Sequence, residues 1–457
     1  MRDAVTTGDL RVAALLVAGA APLALVGASI SLAPVGSLAI AFGLTWVPVA
    51  ALTAELAASF PVRGGHYAWG RAAFGSGWGF VWAWWRLLVT IFEVGLSCAA
   101  IASLGLSEEV SPDAPARVVA FAVVMAIGCA IAARPSLVWP LAFVGAVALP
   151  AAVTLAPGSA ADTATWPGAG ALATAIGVMT MRHADVAGVV AGELGDSRRS
   201  IPRGIAIGSG LIAVLLVGPL ASSLVAVWPL AGDGDASGMR SYFTAAALVA
   251  LGAHGGTGIA VASRLVGAFA TDRYLPAWFA PRDAGQQTWP SVVVVTAVAV
   301  ASGLLDDVVL RACVTAAWCA SLVALVGSLQ VVRAGRAGHA RGYRIPGGTQ
   351  SVALCGAIAV AAAVVSVVDG LLSGGVPWAV ASVTCIASGP IAWVGLTILV
   401  KRGRPNLPVA LETAPRWFDS AQPGVPELVA PLVPKTPFAA RLRSIVPRHR
   451  PVDSVGA

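Results

Sequence analysis

Two acidic side chains stand inside stretches that are otherwise almost wholly apolar, Glu93 in WWRLLVTIFE and Asp185 in MRHADVAGVV. An ionisable group at the centre of a bilayer costs about 2.5 to 3.5 kcal/mol on insertion scales, so each needs a partner or a task. Two tasks suit a carboxylate there: holding a substrate ammonium, and accepting a proton that moves with the substrate. Glu93 has an alternative in a structural ion pair with Arg86, which lies two turns earlier and on roughly the same helical face. Two histidines, His183 beside Asp185 and His254 further on, extend the set. Histidine ordinarily titrates near pH 6.5, so either could relay a proton, or could simply hydrogen-bond a neighbouring helix.

Such groups must be positioned by membrane-spanning elements. The chain is 57% hydrophobic and 11% charged, where a soluble protein carries roughly 25% charged residues, and its mean hydropathy is +0.82. Apolar runs long enough to cross a hydrocarbon core of about 30 Å recur along it. They predict spans near 11–32, 36–60, 77–106, 114–133, 135–156, 169–194, 203–229, 240–270, 289–305, 308–332, 350–372 and 376–400. The expected fold is an all-α membrane protein of twelve transmembrane helices. The first run has no cleavage-site pattern after it and reads as a retained helix.

Charge gives the orientation. Alternate connections collect Arg63 and Arg71, Arg134, Arg198 with Arg199 and Arg203, Arg273 and Arg282, Arg333 with Arg336, Arg341 and Arg344, and Lys401 with Arg402 and Arg404. The opposite connections are acidic and hold only Arg117, Arg240 and Arg311 as fixed positive charges. The positive-inside rule then places both termini in the cytoplasm of a plasma-membrane protein. The net charge of +7 is thus loop charge, and nucleic acid is not an expected partner. Residues 401–457, rich in Pro and Arg, cannot build a core and read as a solvated cytoplasmic tail. The six cysteines all lie in apolar segments without metal-ligand or disulfide-framework spacing, so no metal and no cofactor is expected.

Two spans contain helix-breaking text. Span one reads LLVAGAAPLALVGASISLAP, with Gly19, Pro22 and Gly27 in its middle, and span six carries Arg182, His183 and Asp185 followed by Gly188. Small and breaking residues also serve helix packing, which accounts for span one as readily as a break does, but poorly for the charges of span six. Breaks in spans one and six fall at equivalent places of two five-helix halves, the mark of an inverted-repeat carrier with a midplane site. The repeats would be 11–156 and 169–332, after a short N-terminus of residues 1–10 and before two further helices within 350–400. Freed amides at Gly19, Ala20 and Ala21, ahead of Pro22, would offer partial positive charge to a carboxylate.

The loop text carries a resemblance. AELAASFPVRGGHYAWGRAAFGSGWGF, residues 54–80, resembles the main signature of the amino acid, polyamine and organocation transporter superfamily, through Glu55, Phe60, Pro61, Gly64, Gly65, Tyr67, Phe74 and Gly75. DVAGVVAGELGDSRRSIPRGI from Asp185, AFATDRYLP from Ala268 and RGYRIPGG from Arg341 are similar to the family's later motifs, in the expected order. The resemblance implies an amino acid permease with the five-plus-five, leucine-transporter-like fold, helices 1 and 6 broken. Within the superfamily the chain looks most like the polyamine and proton symporters, through Pro22 with Pro34 and Arg86 with Glu93. It departs from that subgroup at Val49 and around Gly256, where carboxylates are expected, and its GAAP replaces the usual Gly-Ser-Gly type of segment in span one.

The resemblance implies a permease for amino acids or cationic amines, including polyamines, with a proton as the coupling ion. Glu55, Arg63, Gly64, Gly65, Glu193, Arg198 and Arg199 would form the cytoplasmic gate, Glu55 and Glu193 pairing with loop arginines. A transporter-like sensor that binds without moving its ligand is the alternative. An enzyme is not expected, since the chain has no HExxH, no nucleophile elbow and no phosphate loop.

Overall fold

The computed structural model describes residues 5–20, 40–61, 64–104, 115–155, 184–194, 196–225, 236–281, 288–335 and 343–401. All regular structure among them is helical. Helix α1 spans Thr7–Gly19, α2 Val47–Ser59, α3 His66–Phe74, α4 Ser76–Leu104, α5 Pro115–Ala133 and α6 Val138–Leu155. After a short α7, Val186–Val189, come α8 Ser197–Val225, α9 Ala236–Thr271, α10 Trp289–Ser302, α11 Asp307–Gly335 and α12 Gly348–Leu396. Among the described residues, five stretches are long and apolar enough to cross a membrane: Phe42–Ser59, Ser76–Ile101, Thr244–Thr271, Val308–Ala334 and Gly348–Val400.

The last of these is 53 residues long, about 80 Å as one straight helix, far more than one crossing needs. It is two helices. Gly375 takes φ 57° and ψ −141° and breaks the run, and the neighbours show that the chain doubles back. Gly356 faces Val326 and Gly374 faces Val308, so the first leg runs antiparallel to α11. Beyond the break, Cys313 Sγ approaches the Ala381 carbonyl at 3.8 Å and Cys385 Sγ approaches the Cys313 carbonyl at 3.5 Å. The second leg therefore returns beside α11. Only 33% of this stretch is buried, against 61 to 78% of the other four, so the pair lies at the periphery.

Helix α1 ends at Gly19. Thr6 and Asp9 form a reciprocal capping box at the start of α1, with amide contacts of 2.9 and 3.2 Å. The helix begins at Thr7 and ends at Gly19, in the middle of the expected 11–32 run, where Ala20 leaves helical geometry at φ −83°, ψ 8°. Ala21 and Pro22 lie outside the described residues. Glycine lets α8 press closely on α1: a Cβ on Gly204 would fall 2.5 Å from Val12 Cβ and 2.7 Å from the Asp9 carbonyl. Small residues at a helix interface do this in membranes, where burial of apolar surface gives helices no preference for one another over lipid.

Both departures from the polyamine pattern are packing positions. A Cβ on Gly256 would stand 2.3 Å from Leu141 and 2.7 Å from Ile127, so a carboxylate has no room in this interface of α9 with α5 and α6. Val49 is 1% exposed in the apolar core around Trp46 and Leu52.

Candidate functional site

The two carboxylates singled out in the sequence meet through Arg86. On α4, Arg86 Nη1 lies 3.7 Å from Glu93 Oε1, and its Nε lies 3.0 Å from Asp185 Oδ2. The helical spacing of residues 86 and 93 produces the first contact. The second exists because the chain around Asp185 is not a continuous helix: Val186–Val189 is a single turn, and a 3-10 turn at Ala191–Glu193 follows. A fourth member was not anticipated. His66, the first residue of α3, sets its Nε2 2.9 Å from Asp185 Oδ2. Arg86 and His66 are fully buried, Glu93 is 1% and Asp185 4% exposed.

These are ion pairs more than hydrogen bonds. The guanidinium nitrogens of Arg86 reach hydrogen-bond geometry with no described residue, so their attraction to the two carboxylates is mainly coulombic. With His66 neutral and both carboxylates ionised, these four side chains together carry one net negative charge. A charge of that sign, sealed from water, favours a cation or a proton.

Residues 64–69 clamp the irregular segment. Gly64 and Gly65 both have positive φ, 86° and 37°, which explains the paired glycines. A Cβ on Gly65 would lie 2.8 Å from the Gly188 carbonyl carbon and 2.9 Å from the Val189 amide nitrogen. A Cβ on Gly188 would strike the Trp69 ring at 2.0 Å, and Trp69 is held by its indole N–H donating to the Phe60 carbonyl at 3.1 Å. Backbone thus seats directly on backbone beside Asp185. Gly65→Ala is expected to cost at least about 2 kcal/mol through overlap and strain, read as a lower unfolding temperature in detergent together with reduced uptake.

The same signature binds the other motifs. Glu55 takes both Nε (2.7 Å) and Nη2 of Arg333 and the Ile345 amide at 2.9 Å. Asp272, in the AFATDRYLP motif, accepts from Tyr67 and from Arg71, whose Nη1 lies 2.5 to 2.6 Å from both carboxylate oxygens. Burial, reinforced by the Asp272 charge, pushes the Tyr67 phenol above its ordinary range, so it stays a neutral donor. Segment 54–75 is where four motifs, distant in sequence, converge.

Glu55 pairs with Arg333, which lies in the last turn of α11. Glu193 differs. Its bidentate partner is Arg264, a residue within α9 and not a loop arginine, because the turn at Ala191–Glu193 brings the carboxylate onto that helix. Arg198 is half-buried and Arg199 exposed at the start of α8. His254 is fully buried on α9, next to Ala253, which packs on Gly145. Gly19 and Ala20 are at the end of α1, while Arg63 and His183, like Ala21 and Pro22, are outside the described residues.

A chain whose described regular structure is all helical, apolar over most of its length and with charges held in buried pairs, is a multi-pass membrane protein. It belongs to the amino acid permease family, whose model matches residues 4–388. Members of that family are transporters and not enzymes. Over 56 residues the chain is 43% identical to a "Probable polyamine transporter" of Arabidopsis thaliana, a match covering 12% of each chain.

Proposed function

We propose that the protein is a secondary transporter that carries amino acids or cationic amines across the plasma membrane in exchange with or together with protons. The observation that carries this is the sealed cluster in which Glu93 and Asp185 share Arg86. Its single net negative charge suits a substrate ammonium, and its place against a broken span gives the substrate irregular backbone to bind. The end of α1 at Gly19 and the short turn at Val186–Val189 support two inverted repeats of five helices, 11–156 and 169–332, in a twelve-span chain with cytoplasmic termini. One half rocks against the other to alternate access. The pairs of Glu55 with Arg333, Glu193 with Arg264, and Asp272 with Arg71 then close the cytoplasmic side.

Purified protein in proteoliposomes tests this. Radiolabelled putrescine, arginine and leucine are offered separately, with an inward-acid gradient and without one. Saturable uptake of at least one, changed several-fold by the gradient, is expected. Ligand binding without any saturable flux would replace the transporter reading with a sensor, and flux indifferent to the gradient would remove the proton.

A further inference from the structure

Among the described residues, His66 is a fully buried ionisable group whose position the transport reading does not use. It lies in the connection between Phe42–Ser59 and Ser76–Ile101, not within either stretch, yet it reaches the central carboxylate. Its ring is walled by indoles, 5.3 Å from Trp69 and 5.2 Å from Trp82 between centroids. Among the described residues, the charged groups around it are Asp185 from the broken segment and Arg86 from α4, with Glu93 beyond Arg86. An ionised Asp185 only accepts, so the neutral ring carries its hydrogen on Nε2 and leaves Nδ1 as a lone pair. Nδ1 is buried and meets no hydrogen-bond donor among the described residues.

We infer that His66 is a proton-operated counter-ion for the amine site: when Nδ1 takes a proton, the imidazolium cancels the cluster's net negative charge and expels the bound amine. The inference rests on the reading of the Arg86 cluster as that site. The step is a simple exchange. One proton binds at Nδ1, the Nε2–H stays on Asp185, and the ammonium leaves with its own charge. Burial lowers His66 below the ordinary histidine range, partly opposed by the hydrogen bond and charge of Asp185, with Arg86 adding to the lowering. The ring is therefore neutral at pH 7, ready for the amine, and charges on the acid side. Acting through Asp185 and not on the substrate itself, His66 is a positioning residue with a titratable setting.

Binding of tritiated putrescine and of tritiated arginine to the full-length protein in lipid nanodiscs, from pH 8 to pH 5, tests this. Affinity of the wild type for whichever probe binds is expected to fall about tenfold per pH unit once His66 titrates. Binding in that window should release up to one proton per ligand into weakly buffered solution. His66→Gln, which keeps an N–H donor for Asp185 but cannot charge, should lose both the acid limb and the proton release; His66→Asn serves as a second variant. An acid limb with unchanged slope and midpoint in either variant overturns the inference, as does pH-independent affinity of the wild type, which needs no variant. Asp185→Asn separates the two readings. If it binds the probe like the wild type, the amine site itself is wrong, whereas loss of binding there beside an intact acid limb in His66→Gln removes only the role of His66.

Discussion

Glu93→Gln and Asp185→Asn are each expected to abolish saturable uptake while the protein reaches the membrane at its normal level. Either amide is nearly isosteric with the acid it replaces, so packing around the fully buried Arg86 survives. The charge does not. With one carboxylate left against one guanidinium, the cluster becomes neutral, and an ammonium has nothing to exchange its hydration for. Truncating one partner of a buried charge pair costs about 2 to 5 kcal/mol, which corresponds to at least about 30-fold in substrate affinity. The contrast with Arg86→Gln is informative, because that change leaves two buried carboxylates without their cation and should reduce the amount of folded protein as well. Uptake by quantified amounts of each variant in proteoliposomes decides the matter, and wild-type flux in both amide variants would sink the assignment of this site.

Glu93, Asp185 and Arg86 are legible in the sequence because a charge inside apolar text has no cheap explanation. The stop of α1 at Gly19, the irregular backbone from Asp185 to Glu193 and the reversal at Gly375 were legible for the same kind of reason: Gly, Pro and charge interrupt helical runs. What the sequence hides is partnership. His66 stands beside two glycines with nothing in the sequence to name its partner, and only the seating of Gly65 on Gly188 carries it to Asp185. Arg264 is an isolated arginine in the small-residue text of the second half of α9, and its reason is Glu193, 71 residues away. Asp272 likewise waits for Tyr67 and Arg71, some 200 residues earlier. Helix periodicity fixes which face a residue occupies, but not which helix that face meets. The family's loop motifs looked like separate signatures, yet Asp272 with Arg71, and Asp185 with His66, join them directly.

The pair of Glu55 with Arg333 gives the largest expected effect on folding. Both side chains are buried, 0% and 3% exposed, and the carboxylate also holds the Ile345 amide, so it ties α2 to the end of α11 and to the segment leading into α12. Glu55→Ala strands the guanidinium, and breaking a buried pair from one side costs about 3 to 5 kcal/mol. A clear drop in unfolding temperature in detergent is therefore expected, with uptake falling at least as far as the folded fraction. Replacing both partners, Glu55→Leu with Arg333→Met, removes the stranded charge along with its partner and should recover a large part of the lost stability. If the pair also closes the cytoplasmic side, the double variant regains its unfolding temperature but not its uptake, since a closure that depends on opposite charges cannot re-form from two apolar side chains. Recovery of both together would make the pair a structural tie alone and would leave closure to Glu193 with Arg264 and Asp272 with Arg71.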